Sequence, residues 1–207
     1  MQVLFWQVPS SLSVTVRDAR MRAPVGPRGQ REFDVVIFGA TGCCGSLTAE
    51  HYASRYPQTE LRWAIAGRSA SKVSVLAAKL NCEFRVASLD EGGLDALAAS
   101  TACIASAAGP FASPSGWALV EACVNAGTDY ADISGEVPWV SELMRRLQAR
   151  AVEAGSLIVP FCGIDSVPVD LALLGLARRA RARFGPGARL GDATMLGAWH
   201  WHASNFS

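Results

Sequence analysis

The sequence predicts an α/β protein with a doubly wound parallel sheet of six strands. Two observations predict this architecture. Six short apolar runs follow one another from residue 34 onward, and helical patterns of ordinary length separate them. Strands that alternate with helices in this way form βαβ units, which have parallel strands and right-handed crossovers. Six is also the number of strands in a complete sheet of the Rossmann type, and we therefore expect that fold.

The first predicted strand covers residues 35–38. These residues are apolar throughout and rich in β-branched side chains, as expected for a strand that is buried on both faces. The strand ends at Gly39, and a helix follows through about Tyr56. The next predicted elements are a strand at 61–66, a helix at 71–80, a strand at 84–87 and a short helix at 94–99.

The fourth predicted strand covers residues 102–107. Ser113 and Pro114 then open a helix as its N-cap and its first-turn proline, and Gly127 ends that helix as a C-cap. A strand at 130–133 leads to a helix that carries four apolar residues on one stripe. These four residues are Val140, Leu143, Leu147 and Ala151. The last predicted elements are a strand at 157–161 and a helix from 167 to about 184.

The composition excludes several classes of protein. Hydrophobic residues make up 50% of the chain and charged residues 18%, which is enough apolar material for a sizeable core and argues against disorder. Nineteen basic and eighteen acidic residues leave a net charge of +1. Because nothing is left over to neutralise a phosphate backbone, we expect no nucleic-acid partner. The six cysteines form no CxxC pair, so we expect reduced thiols, no metal site and an intracellular location.

A glycine-rich loop directly follows the first strand. It reads Gly39-Ala40-Thr41-Gly42-Cys43-Cys44-Gly45, with glycines at intervals of three. In dinucleotide-binding folds the first such glycine permits a tight turn, the second lets a pyrophosphate approach the backbone, and the third lets the helix pack closely on the strand. We therefore predict that residues 39–45 bind the phosphates of a dinucleotide. The alternative is an ordinary strand-to-helix turn that is rich in glycine.

The end of the second strand predicts which dinucleotide binds. A site for NAD normally has an acidic residue here, but this strand ends in Ala-Gly followed by Arg68 and Ser69, with Lys72 shortly after. Arg68 can bind a 2′-phosphate or stack on adenine, and Ser69 and Lys72 add donors. We therefore predict NADP(H) as the cofactor, the alternative being a solvated basic start of a helix. Asp90, after the third strand, is equally a candidate adenine contact and a candidate helix cap.

The extent of the predicted elements suggests how the chain is divided into domains. We predict a dinucleotide-binding domain at 33–185, a disordered leader at 1–32 and a tail, or the start of a second domain, at 186–207. Arginines in the leader leave an organellar transit peptide open as an alternative; they include Arg17, Arg20, Arg22 and Arg28. Residues 96–120 are uncharged but interrupted by glycine and proline. We therefore expect a soluble chain that can contact a membrane peripherally.

The sequence excludes one large class of reductases, because it lacks the catalytic pair of residues that this class uses. Short-chain dehydrogenases use a tyrosine and a lysine four residues later. The chain has three tyrosines, and the residues four positions after Tyr52, Tyr56 and Tyr130 are a tyrosine, a glutamate and a serine. That catalytic chemistry is therefore absent.

Five motifs in order resemble the saccharopine dehydrogenase-like oxidoreductases, from about residue 33 to 176. They are Asp34-Val-Val-Ile-Phe-Gly-Ala-Thr-Gly, Trp63-Ala-Ile-Ala-Gly-Arg-Ser, Ala108-Gly-Pro-Phe, Asp132-Ile-Ser-Gly-Glu and Cys162-Gly-Ile-Asp-Ser-Val-Pro-Val-Asp-Leu. The family includes the animal saccharopine dehydrogenase-like protein and bacterial trans-acting enoyl reductases that act in making lipids. The resemblance implies an NADP-binding Rossmann domain, a second domain that shapes the substrate site, and frequent association with lipid droplets or membranes.

Three of these motifs add candidate site residues. Gly109 and Pro110 follow the fourth strand, at the carboxyl edge where ligands bind in open parallel sheets. Glycine there lets the chain pass close to a ribose or nicotinamide, so we add both residues to the cofactor site. Glu136 and Asp165 are the carboxylates placed to meet a substrate or to transfer a proton, and each is alternatively a helix cap. The catalytic residues stay unassigned.

The chain departs from the family in its length. Family members continue well beyond the six-strand core, whereas this sequence stops at Ser207, so we expect the second domain to be missing. Two functions follow as expectations. One is the NADP(H)-binding domain of an oxidoreductase of lipid or glycolipid metabolism, with a small-molecule, lipid-like substrate. The other is a nucleotide-binding or structural module without catalysis. We also expect self-association through the apolar rim that a missing domain would leave. The compartment stays open between the cytoplasm, lipid droplets and organellar membranes.

Overall fold

The computed structural model describes residues 31–192, which form a six-stranded parallel sheet and six helices. The elements are β1 (Phe33–Phe38), α1 (Cys43–Arg55), β2 (Trp63–Gly67), α2 (Ala70–Leu80), β3 (Glu83–Val86), α3 (Glu91–Ser100), β4 (Thr101–Ser106), α4 (Pro114–Ala126), β5 (Asp129–Asp132), α5 (Val137–Ala154), β6 (Ile158–Val159) and α6 (Val167–Phe184). The strand order is β3-β2-β1-β4-β5-β6, and every neighbouring pair is parallel. This order confirms the predicted Rossmann-type fold. In that fold β2 and β3 extend to one side of β1, and the order then reverses so that β4, β5 and β6 extend to the other side.

Helices cover both faces of the sheet. Alternate side chains of β1 point to opposite faces, as the period of a strand requires. Ile37 packs in one buried cluster with residues of α1 and α2, and Val36 and Phe38 pack in a second cluster with residues of α3, α4 and α5. Burial on both sides explains why β1 and β2 are almost entirely apolar.

The predicted ends of α4 are confirmed. The Ser113 hydroxyl accepts a hydrogen bond from the Gly116 N–H at 3.3 Å, and Pro114 occupies the first turn, where its missing N–H costs nothing. Gly127 ends the helix with a φ of +64°, a conformation in which glycine is not strained.

The largest differences from the predicted lengths are those of α3 and β6. α3 begins at Glu91 rather than near residue 94, because Asp90 caps it and two glycines in its first turn weaken the helical pattern of the sequence. β6 has two residues rather than five. Pro160 has no N–H to donate, and Phe161 leaves the extended conformation with a φ of +61°.

The described chain divides into two compact units, at 31–163 and 164–192. The first contains the sheet, and the second contains α6, in which no residue is buried. The boundaries predicted at residues 33 and 185 stay predictions, because most of the predicted leader and of the predicted tail lies outside the described residues. Within 31–192, no helix is both long and apolar enough to cross a bilayer.

Candidate functional site

The loop between β1 and α1 begins with a glycine that the fold requires. Gly39 has a φ of +80°, and a β-carbon there would lie 2.8 Å from the β-carbon of Ala108, which follows β4. No side chain fits this combination of conformation and space. Gly39 also donates its N–H to the Ala66 carbonyl at 2.9 Å. The loop is therefore held between the ends of β2 and β4, at the point where the strand order reverses.

The third glycine of the loop is required for a different reason. Gly45 is buried in the first turn of α1, and a β-carbon there would lie 2.8 Å from the α-carbon of Ala40. Ala40 is itself fully buried and belongs to the core. The helix therefore packs directly on the loop, as the glycine spacing predicts.

The second glycine is not required by the fold. Gly42 has a φ of −82°, which any residue adopts, and a β-carbon there would meet only the Gly39 carbonyl oxygen, at an ordinary contact distance of 3.4 Å. Its N–H donates to that same oxygen at 3.0 Å, and its own carbonyl accepts from Ser46 at 2.9 Å. The space above Gly42 is thus open to solvent.

The open space lies at the N-terminus of α1. Gly42 is the N-cap and offers no side chain to the helix, and the first turn contains no acidic residue. The positive end of the helix dipole is therefore not neutralised by an acid of the helix itself, which is the environment in which helices bind phosphate. Thr41, Cys43 and Cys44 surround this point and are exposed.

Basic residues follow β2 close to this loop. Arg68 and Lys72 are exposed, and neither pairs with an acid anywhere in residues 31–192. Ser69 lies between them as the N-cap of α2, and its hydroxyl lies 3.3 Å from that of Ser71 rather than capping the helix. Two cations that pair with no acid among the described residues therefore lie at the end of β2, together with two serine hydroxyl groups.

The two regions share one cleft. Thr41 and Ser46 from the loop side, and Ser71 and Lys72 from the first turn of α2, line a cavity of about 510 Å³. A β-carbon on Gly67, the last residue of β2, would lie 3.9 Å from the Thr41 hydroxyl. The end of β2 therefore lies within side-chain reach of the loop.

Asp90 acts as a helix cap. Its carboxylate accepts hydrogen bonds from the Gly93 N–H and the Ser88 hydroxyl, both at 2.8 Å. These two hydrogen bonds, the Gly93 bond first, hold the pKa of Asp90 below its ordinary value. Of the two roles expected from the sequence the structure shows the cap, and the adenine contact stays a prediction.

The loop after β4 contains a second glycine that the fold does not require. A β-carbon on Gly109 would meet only the Phe111 ring, at 3.6 Å. Gly116 in the same region is different, because its β-carbon would lie 2.7 Å from the Phe111 carbonyl carbon. Gly109 and Pro110 are exposed and are joined by a cis peptide bond. Gly109, like Gly42, therefore leaves backbone open to an approaching group.

Asp132 joins the loops after β5 and β6, a role that sequence reasoning missed. Its buried carboxylate accepts from the Tyr130 hydroxyl at 2.8 Å and from the N–H groups of Ser134 and Phe161 at 2.9 and 3.3 Å. Its carbonyl accepts from the Cys162 N–H at 2.7 Å. Burial, together with the charge of Asp132, raises the pKa of Tyr130, so the phenol stays protonated and donates. A polar residue at the end of a buried strand was the only signal in the sequence.

The two candidate catalytic carboxylates have different surroundings. Glu136 is at the N-cap position of α5, but its carboxylate accepts from the Gly135 N–H at 2.8 Å and from no N–H of the helix. Asp165 is exposed and belongs to the second compact unit. Catalytic roles for both residues stay predictions.

Comparison with known proteins identifies the family. The family model described as the saccharopine dehydrogenase NADP binding domain matches residues 35–159. A trans-acting enoyl reductase of Mycobacterium ulcerans is 38% identical over 157 residues, and one of Mycobacterium tuberculosis is 36% identical over 157 residues. Each match covers 73% of this chain, and the chain spans 37% of the length of these curated relatives.

A solved structure has the same fold. The apo form of histidine-tagged saccharopine dehydrogenase (L-Glu forming) from Saccharomyces cerevisiae superposes with a TM-score of 0.58 at 18% identity. The superposition covers 72% of this chain and 32% of the yeast chain. The predicted cofactor, NADP(H), agrees with the matched family model, which describes an NADP-binding domain. The chain belongs to the family of saccharopine dehydrogenase NADP-binding domains.

Proposed function

We propose that this chain is the NADP(H)-binding part of an oxidoreductase and that the cofactor lies across the carboxyl edge of the sheet. The observation that carries the proposal is the contrast among the three loop glycines. Gly39 and Gly45 are required by the fold, whereas Gly42 is not. A glycine that the protein itself does not need, at an uncapped helix N-terminus, suits the close approach of a pyrophosphate.

The remaining cofactor contacts follow from the same edge. We assign the 2′-phosphate to Arg68, Ser69 and Lys72, because the two cations form no ion pair among residues 31–192 and guanidinium groups bind phosphate bidentately. We assign the ribose or nicotinamide side to Gly109 and Pro110, where the backbone is open. Thr41, Cys43 and Cys44 would border the pyrophosphate, and Asp90 the adenine.

We propose that the whole protein reduces a lipid-like substrate. The support is the name of the curated relatives, trans-acting enoyl reductase, at 36–38% identity over the matched part. When bound, NADPH supplies a hydride. The part of this chain that we assign to the reaction is to hold and orient the cofactor. We further propose that the protein is intracellular, that it contacts a membrane or lipid droplet peripherally, and that it self-associates.

A second candidate is a nucleotide-binding module without catalysis. It is favoured by the state of the acids at the carboxyl edge within residues 31–163. Asp132 is buried and accepts three hydrogen bonds through its carboxylate, and Glu136 accepts one from the neighbouring backbone. These contacts give neither acid an evident role in proton transfer.

The test has two steps on the 207-residue chain. NADPH and NADH are first titrated calorimetrically into the wild type and into Arg55→Ala. The variant serves as a control because Arg55 is in the last turn of α1, at the end of the helix away from the loop. Oxidation of NADPH is then followed with enoyl and ketone lipids. Binding with turnover supports the oxidoreductase, binding without turnover supports the second candidate, and no NADPH binding contradicts both.

A further inference from the structure

A chain of buried side chains links the ends of β4 and β5. Ser106 and Asp132 are the last residues of these strands, and they lie side by side in the sheet. The Tyr130 hydroxyl donates a hydrogen bond to the Asp132 carboxylate at 2.8 Å. A second hydrogen bond joins Tyr130 to the Ser106 side chain, and because the phenol proton is used toward Asp132, the Ser106 hydroxyl is the donor. All three residues are at most 4% exposed.

These hydrogen bonds continue into the loops that follow three strands. After β4, the Ala108 N–H donates to the Ser106 hydroxyl at 3.4 Å. After β5 and β6, the N–H groups of Ser134 and Phe161 donate to the Asp132 carboxylate at 2.9 and 3.3 Å. One connected set of groups, which centres on Asp132 and which we call the Asp132 network, therefore holds together three loops at the carboxyl edge of the sheet.

The three loops lie on one half of the sheet. The strand order reverses at β1, and dinucleotides bind across such a reversal with one nucleotide on each half. With the 2′-phosphate at residues 68–72 and the pyrophosphate at the loop after β1, the nicotinamide half falls over the ends of β4, β5 and β6. Gly109, Pro110 and Gly135 are exposed in these loops. The side-chain hydrogen bonds of the Asp132 network run between residues 106 and 161, on the same half of the sheet.

We propose that Tyr130 and Asp132 are positioning residues, which hold the loops after β4, β5 and β6 in the arrangement that receives the nicotinamide half of NADP(H). The inference rests on the proposed cofactor site and deepens it, because it separates the residues that set nicotinamide affinity from those that set phosphate affinity. Both side chains are buried and act through the loops. A loop that is ordered before binding loses less conformational freedom when the ligand arrives. Hydrogen bonds to a carboxylate are stronger than those between neutral groups, so they suit this role.

The test compares NADPH with 2′-phospho-ADP-ribose, which is the cofactor without its nicotinamide. Both are titrated calorimetrically into the 207-residue chain, and the ratio of the two dissociation constants measures what the nicotinamide contributes. Tyr130→Phe removes a donor to Asp132. This variant should weaken NADPH binding roughly three- to tenfold, the range expected when one hydrogen bond is lost, and should change 2′-phospho-ADP-ribose binding less than about twofold.

Two further variants make the comparison specific. Tyr52→Phe is the matched control, because Tyr52 is half-buried in α1 and its ring lies 5.9 Å from that of Trp63. Trp63 begins β2 and is therefore at the opposite edge of the sheet from the three loops, so the control should change neither affinity. Arg68→Ala should weaken the binding of both ligands, because both carry the 2′-phosphate.

Three outcomes would overturn the inference. They are an equal loss of affinity for both ligands in Tyr130→Phe, an unchanged NADPH affinity in that variant, and equal affinity of the wild type for NADPH and 2′-phospho-ADP-ribose. If Tyr130→Phe does not fold, Ser106→Ala, which breaks the link to the loop after β4, is measured by the same criteria. Failure of the proposed cofactor site has a different signature, because the wild type would then bind neither ligand, and that result would overturn both proposals.

Discussion

Ala108 occupies the space that a side chain on Gly39 would need, with its Cβ 2.8 Å and its Cα 2.9 Å from the position of that missing β-carbon. Gly39 follows β1 and Ala108 follows β4, the two strands at which the strand order reverses. Contact between their loops leaves no space for a ligand between them. We therefore expect a bound dinucleotide to pass over Gly42 and Gly109, where the backbone is open.

The first prediction separates the two kinds of loop glycine. Gly42→Ala should change the free energy of unfolding by less than ~1 kcal/mol, because its β-carbon meets only one atom at 3.4 Å, yet NADPH affinity should fall sharply. Gly45→Ala should cost about 1–3 kcal/mol in stability, because its β-carbon collides with backbone. Urea unfolding and calorimetry measure the two effects. Unchanged NADPH binding by the Gly42 variant would remove the loop from the phosphate site.

The packing role of Gly45 could be predicted from the sequence because it depends on residues nearby in the chain, whereas the close approach of Gly39 to Ala108 joins residues distant in sequence. A tight turn, an open N-cap and a packed first helical turn follow from a spacing of three directly after an apolar strand. The caps at Ser113 and Gly127 were predictable for the same reason, since each needs only its neighbours in the chain. The parallel arrangement of the six strands followed from the alternation of strands and helices.

The role of Asp132 could not be predicted, because it depends on residues distant in sequence. Phe161 and Cys162 reach Asp132 only once β6 lies beside β5, and their N–H groups then bond to its carboxylate and its carbonyl. Phe161 has a left-handed conformation just after β6. This conformation was not predicted either, because the position holds neither the glycine nor the asparagine that is typical of it.

The second prediction concerns this buried carboxylate. Asp132→Asn should lower the free energy of unfolding by about 2–4 kcal/mol, because an amide nitrogen replaces one of the two acceptor oxygens and leaves a buried donor or acceptor unpaired. Tyr130→Phe removes one donor and should cost about 1–2 kcal/mol. Equilibrium urea denaturation measures both. Equal stability of the Asn variant and the wild type would mean that Asp132 does not hold these loops.

The third prediction concerns the thiols. Cys43, Cys44 and Cys162 are exposed, whereas burial raises the pKa of Cys82 to about 11 and also raises that of Cys123, which is fully buried. At pH 8 Cys82 should therefore be thiolate about 100 times less often than an ordinary thiol and should react slowly with a disulfide reagent. Saturating NADPH should slow labelling of Cys43 and Cys44 but not of Cys162. Equal protection of all three would indicate a change in the whole fold instead of local cover by the cofactor.

The last prediction concerns cofactor preference. Arg68 is exposed and makes no ion pair within the described residues, so its removal breaks no ion pair there and should leave the unfolding temperature of the ligand-free chain unchanged. Arg68→Ala should weaken NADPH binding by about 1.5–3 kcal/mol, as expected when a charge-assisted contact to phosphate is lost, and should hardly change NADH binding. Arg55→Ala, at the far end of α1, removes the same charge as a control and should change neither affinity. Calorimetric titration of both cofactors into the three proteins provides the comparison. Equal losses for NADPH and NADH would place Arg68 at a part of the site that the two cofactors share, such as the adenine, and would transfer the 2′-phosphate contact to Lys72.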